Sequence, residues 1–325
     1  MNTRELPSRA DRAAGALLGV HAGDALGATL EFHSWSRIKE LYPDGLRDIV
    51  GGGPFGWPAG HATDDTDLTR AVLLAYLEPG DDVVKVAAEA MLDWLDGRWP
   101  GRVAGQRPGD VGAATSTGLE RYRSTRDPRA AGAGVGRAGN GSLMRCIPTA
   151  LAVRDREGRI QESIEISAIT HDDPRCTTAC ATYNEVVAAL VDGAAPDAAV
   201  SVGLATAAEL GPADVVAAIE HGQELNLRLM AATGLPELPD GAAGYVLDSL
   251  TLAVAAVLDR RSLRDVLVDI VRVGNDTDTN GAIAGGLLGA RDGARAIPPE
   301  WLAVLQFADE FLAAAHKLSG ALNTR

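Results

Sequence analysis

Helix-period patterning recurs along almost all of this chain, and no sustained alternating run demands a strand. From Arg9, the small-residue segment Ala13-Ala14-Gly15-Ala16-Leu17-Leu18-Gly19-Val20 reads as a helix ending near Gly27. Further helices are expected at about 65–77, 82–95, 112–122, 141–153, 160–170, 176–191, 197–209, 213–231, 245–258, 262–272, 278–290 and 299–318. In the last, Trp301, Leu302, Leu305, Ala308, Leu312 and Ala315 form one apolar stripe, and Pro298 and Pro299 mark its start. Long loops are expected at 44–62, 97–111 and 125–139; the third carries Gly132, Gly134, Gly136 and Gly139 and reads as mobile. Residues 1–8 read as a flexible tail. No composition shift divides the rest, so the expectation is one compact all-α domain over 9–325.

The chain has 325 residues, 46% of them hydrophobic, which is enough to bury a sizeable core. Only 4% are aromatic, and small residues permit close approach of helices. A net charge of −14 argues against a broad nucleic-acid-binding surface and against docking on an anionic membrane. The apolar stretch after Arg4, Arg9 and Arg12 is interrupted by His21 and Asp24, so it reads as neither signal peptide nor membrane span. Three cysteines, Cys146, Cys176 and Cys180, give no disulfide framework and point to a reducing, cytoplasmic setting. Cys176 and Cys180 lie one turn apart near His171, but the paired spacing of structural zinc sites is missing, so they read as packing residues. Composition leaves oligomeric state open, with a monomer favoured.

Two acidic clusters carry the chemistry. One is Thr63-Asp64-Asp65-Thr66-Asp67; the other is Asp276-Thr277-Asp278-Thr279-Asn280. Each follows a glycine-bearing loop and leads into an Ala/Leu-rich helix. Asp and Thr favour helix N-termini as caps. A cap uses one or two oxygens, however, and carboxylates crowded on one turn repel unless a cation neutralises them. Carboxylates interleaved with threonine hydroxyls suit Mg²⁺ or Mn²⁺. If folding brings the clusters together, they hold two metal ions in one site.

Four other segments stand out. Glu31, flanked by Leu30 and Phe32 just beyond the first helix, is a candidate general base, and Asp24 a supporting group. Asn140, Gly141 and Ser142 open a predicted helix and present either N–H groups for a phosphate or a simple cap; Arg145 pairs with a carboxylate or an anionic ligand. His171 stands between two helices. Tyr245 begins an apolar helix and, with Phe55, Trp57 and Tyr183, is a candidate to stack on a nucleobase.

In order, GALLGVHAGDALGATLEF, GGGPFGWPAGHATDDTDL, GNGSLMRCIP, SAITHDDP, GYVLDSL and VGNDTDTNGAIAGGLLGA span residues 15 to 290. This ordered set resembles the ADP-ribosylglycohydrolase family, which includes dinitrogenase-reductase-activating glycohydrolases and ADP-ribosyl-acceptor hydrolases. The resemblance implies an all-helical fold with a binuclear Mg²⁺ or Mn²⁺ site. By similarity Thr63, Asp64, Asp65, Asp276, Asp278 and Thr279 are the metal ligands. Glu31 is the residue acting at the scissile ribose. The segments at Asn140, Gly141, Ser142 and His171 match those that line the ADP-ribose groove, with Tyr245 expected among the substrate contacts, and Gly112 to Ser116 match less well. Asp67 stands where many relatives carry Glu, and Asn275 where a glycine often precedes the second acidic pair. The implied activity is hydrolysis of the bond between ADP-ribose and an acceptor: an ADP-ribosylated protein, a base or a small metabolite. Two other readings are a non-catalytic ADP-ribose-binding module and a metal-dependent nucleotide pyrophosphohydrolase.

Overall fold

The computed structural model describes residues 6–78, 80, 82–234, 238 and 241–321. Sixteen α-helices run through them. In chain order they are α1 (Arg9–Gly27), α2 (Trp35–Leu41), α3 (Asp64–Leu77), α4 (Val83–Leu95), α5 (Ala113–Thr125), α6 (Ile147–Ala152), α7 (Arg156–Ala168), α8 (Pro174–Val191), α9 (Pro196–Leu210), α10 (Ala213–Glu224), α11 (Leu227–Thr233), α12 (Val246–Leu258), α13 (Leu263–Arg272), α14 (Thr277–Asp292), α15 (Pro299–Leu302) and α16 (Ala308–Ala321). Extended pairing among the described residues is confined to three isolated bridges, Ser34 with Gly274, Gly52 with Trp57 and Gly139 with Tyr245. The expected all-α domain is therefore the observed one.

Two helices form the centre. α1 is buried from Ala13 to Gly27, and α14 from Thr277 to Ala290. Helices apolar or small on every side belong inside a core. They run antiparallel at backbone contact. Gly15, Gly19, Gly23 and Gly27 of α1 face Gly289, Gly285, Gly281 and Thr277 of α14, and a Cβ at any of the four α1 glycines would overlap the opposing backbone. Thr277 Oγ1 closes the seam with a 2.7 Å bond to Gly27 O. The small-residue helix seen in the sequence is thus one half of a glycine-lined contact. We expect Gly19→Ala to lower stability by about 3 kcal/mol despite the roughly 1 kcal/mol that alanine gains in helix propensity, because neither backbone can yield cheaply. Denaturant unfolding showing a neutral or stabilising effect would contradict that account of the seam.

This seam sets the position of the chemistry. α1 ends where α14 begins, so the Glu31 turn lands beside the second acidic cluster. α3 is tied to the same end of α1 by Asp24, one residue beyond Gly23. Asp24 Oδ2 accepts from Thr63 N at 3.1 Å and Thr66 N at 3.3 Å, with a short bond from Thr66 Oγ1. A carboxylate of one helix therefore caps the N-terminus of another.

Several element boundaries differ from the expected ones. The predicted helix over 213–231 is two helices, because Asn226 starts α11 by accepting from Leu229 N at 3.0 Å. The predicted helix over 299–318 is broken between α15 and α16, where Gln306 N turns to bond Gly60 O at 3.0 Å. The helix expected from 141 begins only at Ile147; residues 141–145 are turns, anchored where Asn140 N bonds Gly244 O at 3.0 Å. α2, capped by Ser34, had no sequence expectation. The 125–139 loop, read as mobile, is fastened: Pro128–Ala130 form a single helical turn, and Asp172 Oδ1 and Asp173 Oδ2 accept from Gly134 N and Gly136 N at 2.6 and 2.7 Å. Of the tail expected over 1–8, residues 6–8 precede α1 without helix, Ser8 capping it, and residues 1–5 lie outside the described residues.

Candidate functional site

A cleft of about 700 Å³ opens at the meeting point of α1, α3 and α14. Glu31, Asp64, Asp276, Asp278 and Thr279 line it, joined by Asn140, Gly141 and His171 on the opposite side. Residues more than two hundred positions apart thus share one wall.

The two clusters do more than cap. Thr63 caps α3 by accepting from Asp65 N at 3.3 Å, and its hydroxyl also bonds Asp65 Oδ2 at 3.3 Å. Thr279 Oγ1 reaches across from α14 to the same Asp65 oxygen at 3.2 Å, a direct link between the clusters. Asp276 occupies the N-cap position of α14 but its side chain caps nothing. It accepts from Asn140 Nδ2 at 2.6 Å, and that amide also donates to Ser249 Oγ at 2.9 Å. Asn140 therefore ties the loop to the second cluster.

Electrostatics give the site its character. Burial first, then mutual repulsion, pushes Asp64, Asp65 and Asp278 well above the ordinary carboxylate range. The same causes raise Glu31 to about 8, with Asp110 its largest charged neighbour. Burial raises Asp24 to about 7 against the bonds from Thr66 and Thr63 that lower it. Burial likewise raises Asp276 and Asp110. So many carboxylates ionise together only beside positive charge. Asp65 Oδ1 and Asp24 Oδ1 are buried without a hydrogen-bond partner among the described residues. The donors are all oxygen, which fits a hard divalent cation. The acidic side chains converge on one volume without closing around a single point: no three His, Cys, Asp or Glu among the described residues form a ready-made cage.

A backbone clasp positions Glu31. Phe32 and Asn275 both adopt left-handed backbone, each with φ 62°. Phe32 N donates to Asn275 O and Asn275 N to His33 O, both at 2.8 Å. The clasp fixes the Glu31 turn against Asp276. Asn tolerates this conformation far better than most residues, which explains how it stands where a glycine is expected. Its amide adds a 2.7 Å bond to Gly241 O. The other departure, Asp67, points away from the cleft: it accepts from Trp94 Nε1, Trp99 Nε1 and Arg102 at 2.9 to 3.1 Å.

The remaining expected site residues divide. His171 is buried at the cleft wall, and burial, then the nearby Arg145 charge, lowers it to about 3; the imidazole is neutral, with Thr170 Oγ1 at 2.7 Å from Nδ1. Gly141 gives that ring room, since a Cβ there would meet it at 2.9 Å. Ser142 does not face the cleft; its hydroxyl is buried against Ser167 Oγ at 2.9 Å. Arg145 pairs with no carboxylate: it is fully buried and donates to Gly141 O, Ile166 O and Thr170 Oγ1, holding the loop from behind. Tyr245 lies beside the cleft without lining it, its hydroxyl 3.4 Å from Arg175 Nη1. Tyr183 is core, donating to Ile283 O at 2.8 Å. Cys176 and Cys180 are buried donors to Gly139 O and Ser142 Oγ. Gly112 and Thr115 line the cleft, so the poorly matched 112–116 stretch belongs to it. Sequence reasoning missed Asp110, which stands in the cleft wall and couples to Glu31 and Asp64. Its Gly109-Asp110-Val111-Gly112 setting was the available signal.

Among the described residues no helix is long and apolar enough to cross a membrane. Comparison with known proteins gives the family. An ADP-ribosyl-[dinitrogen reductase] glycohydrolase of Rhodospirillum rubrum is 32% identical, over 92% of each chain. An ADP-ribosylarginine hydrolase of Pseudomonas putida is 30% identical, over 90% of this chain and 73% of its own. A solved ADP-ribosylglycohydrolase-related protein complex superposes with a TM-score of 0.78 at 31% identity, covering 96% of this chain and 98% of the other. Residues 5–325 match the family described as ADP-ribosylglycohydrolase. The chain belongs to that family, and it is a hydrolase of the glycosidic bond between ADP-ribose and an acceptor.

Proposed function

We propose that this enzyme releases ADP-ribose from modified arginine side chains of proteins, using two divalent cations, Mg²⁺ or Mn²⁺. The carrying observation is the convergence of Glu31 with both acidic clusters on one wall of a cleft large enough for ADP-ribose. Arginine is preferred as acceptor because a relative at 30% identity is an ADP-ribosylarginine hydrolase. The family is in general metal-dependent. Three unpaired cysteines suit a reducing cytoplasm.

Asp64, Asp65, Asp276, Asp278 and Thr279, with Thr63 behind Asp65, would hold the cations. When bound, these supply Lewis-acid stabilisation and lower the pKa of a water. Glu31 takes a proton from the water that attacks C1″ of the distal ribose, where oxocarbenium-like charge develops as the C1″–N bond breaks with its electron pair going to the acceptor nitrogen; the neutral guanidine released then takes up a proton from solvent. Asn140 keeps Asp276 in orientation. The Gly139–Gly141 backbone and the neutral His171 hold the diphosphate, with Arg145 fixing that loop from beneath.

The test is product analysis on a polypeptide ADP-ribosylated at arginine. Free ADP-ribose is expected, with activity lost in EDTA and restored by Mg²⁺ or Mn²⁺. Release of AMP would identify a pyrophosphohydrolase, and binding of ADP-ribose without release from any acceptor would identify a non-catalytic module.

A further inference from the structure

His21 is fully buried in α1, and nothing in the proposed reaction uses it. It stands three residues before Asp24, so both side chains leave the same face of α1. That face meets the first turn of α3 and the turn leading into α16. His21 Nε2 lies 3.4 Å from the Phe307 backbone nitrogen. A backbone N–H only donates, so Nε2 is the acceptor and carries no proton. Burial keeps the ring neutral, its pKa lowered to about 3, which leaves its one ring proton on Nδ1. Nδ1 is 3.3 Å from Thr66 Oγ1. The tautomer therefore makes that hydroxyl an acceptor on one side and directs its own proton to the other.

On the other side is Asp24 Oδ2, which accepts the short bond from Thr66 Oγ1. The same oxygen accepts from Thr63 N and Thr66 N, at 3.1 and 3.3 Å. Asp24 Oδ1 has no donor among the described residues, so the bonds of this carboxylate run through Oδ2 to α3. Thr63 and Thr66 bracket Asp64 and Asp65 in the sequence. Asp24 thus grips the turn on both sides of the two aspartates. A helical threonine can instead turn its hydroxyl to the carbonyl four residues back. The His21 proton holds Oγ1 out of that alternative.

We infer that His21 and Thr66 are positioning residues for the cation site: through Asp24 they hold the Thr63–Thr66 turn in the conformation that sets Asp64 and Asp65 for the cations. The inference rests on the two-cation reading above. It goes beyond that reading by carrying the support of the site back through the core to the Phe307 backbone.

The experiment compares Thr66→Val, Thr66→Ser and His21→Phe with the unaltered protein. Two quantities are read: the calorimetric Kd for Mn²⁺, below every melting transition, and the melting temperature in EDTA. Valine keeps the bulk of the threonine and removes the hydroxyl; serine keeps the hydroxyl. Phenylalanine keeps a ring beside Phe307 and Phe311, whose centroids lie 6.2 and 6.0 Å from that of His21, and removes both ring nitrogens. Thr66→Val and His21→Phe are expected to raise Kd about ten-fold, with Thr66→Ser within about two-fold of the unaltered protein. A packing role alone lowers the melting temperature in EDTA and leaves Kd unchanged. That result in Thr66→Val, or a serine variant as weak as the valine one, overturns the inference. A folded His21→Phe with unaltered Kd removes His21 from the chain; should it not fold, the threonine pair decides. An unaltered protein that binds neither Mn²⁺ nor Mg²⁺ sinks the two-cation reading first, and the positioning role with it.

Discussion

Asp278→Ala and Asp65→Ala are each expected to abolish high-affinity binding of Mg²⁺ or Mn²⁺ in calorimetry and to lower turnover by about 10³-fold or more, at least roughly 4 kcal/mol of barrier. Both side chains are buried, and each sits among other carboxylates. Alanine takes away both carboxylate oxygens at that position and puts no donor in their place. The stability readout separates this from simple unfolding. Burial and repulsion hold both pKa values above their unfolded values, so at neutral pH the ionised groups oppose folding. That penalty is full above the folded pKa, shrinks as pH falls toward the unfolded pKa and is gone below it. In EDTA, then, Asp278→Ala melts at the same temperature as the unaltered protein or higher, whereas added Mg²⁺ or Mn²⁺ raises the melting temperature of the unaltered protein alone. Retained activity with retained metal in either variant would remove that aspartate from the ligand set.

Glu31→Gln is expected to cost about 10²–10⁴-fold in kcat with metal affinity and ADP-ribose binding nearly unchanged. Glutamine keeps the volume and burial of the side chain, so the Phe32–Asn275 clasp and the Leu30 packing stay in place. What is lost is the ability to accept a proton. Because the substitution also removes one negative charge beside Asp276, any change in metal affinity is expected to be small compared with the loss of rate. A kcat equal to that of the unaltered enzyme would show that another group, with Asp110 of the same cleft wall the candidate, takes the proton.

How much was legible beforehand depended on the range of the interaction concerned. Helix periods are read within a few turns, and most predicted helices appear with shifted ends. Where they failed, a distant group intervened: Gly60 O drew Gln306 out of the last helix, and Gly244 O held Asn140 in a turn. Asp24 was legible as an oddity inside a small-residue helix, yet its work as a cap on α3 was not. Tyr245 and Ser142 fell at the right places along the chain, but they turn toward Arg175 and Ser167 instead of the cleft.

The order of motifs by itself determined the family, the helical class and the acidic residues proposed to hold the cations, since each is encoded in short runs of adjacent residues. Only the tertiary structure decided that those runs meet. The backbone contact of Gly15, Gly19, Gly23 and Gly27 with α14 brings the two ends of the chain together, and a side chain on either face would hold them apart. The clasp at Phe32 and Asn275 and the place of Asp110 in the cleft wall follow from that approach, because each joins residues whose separation along the chain carries no trace of their separation in space.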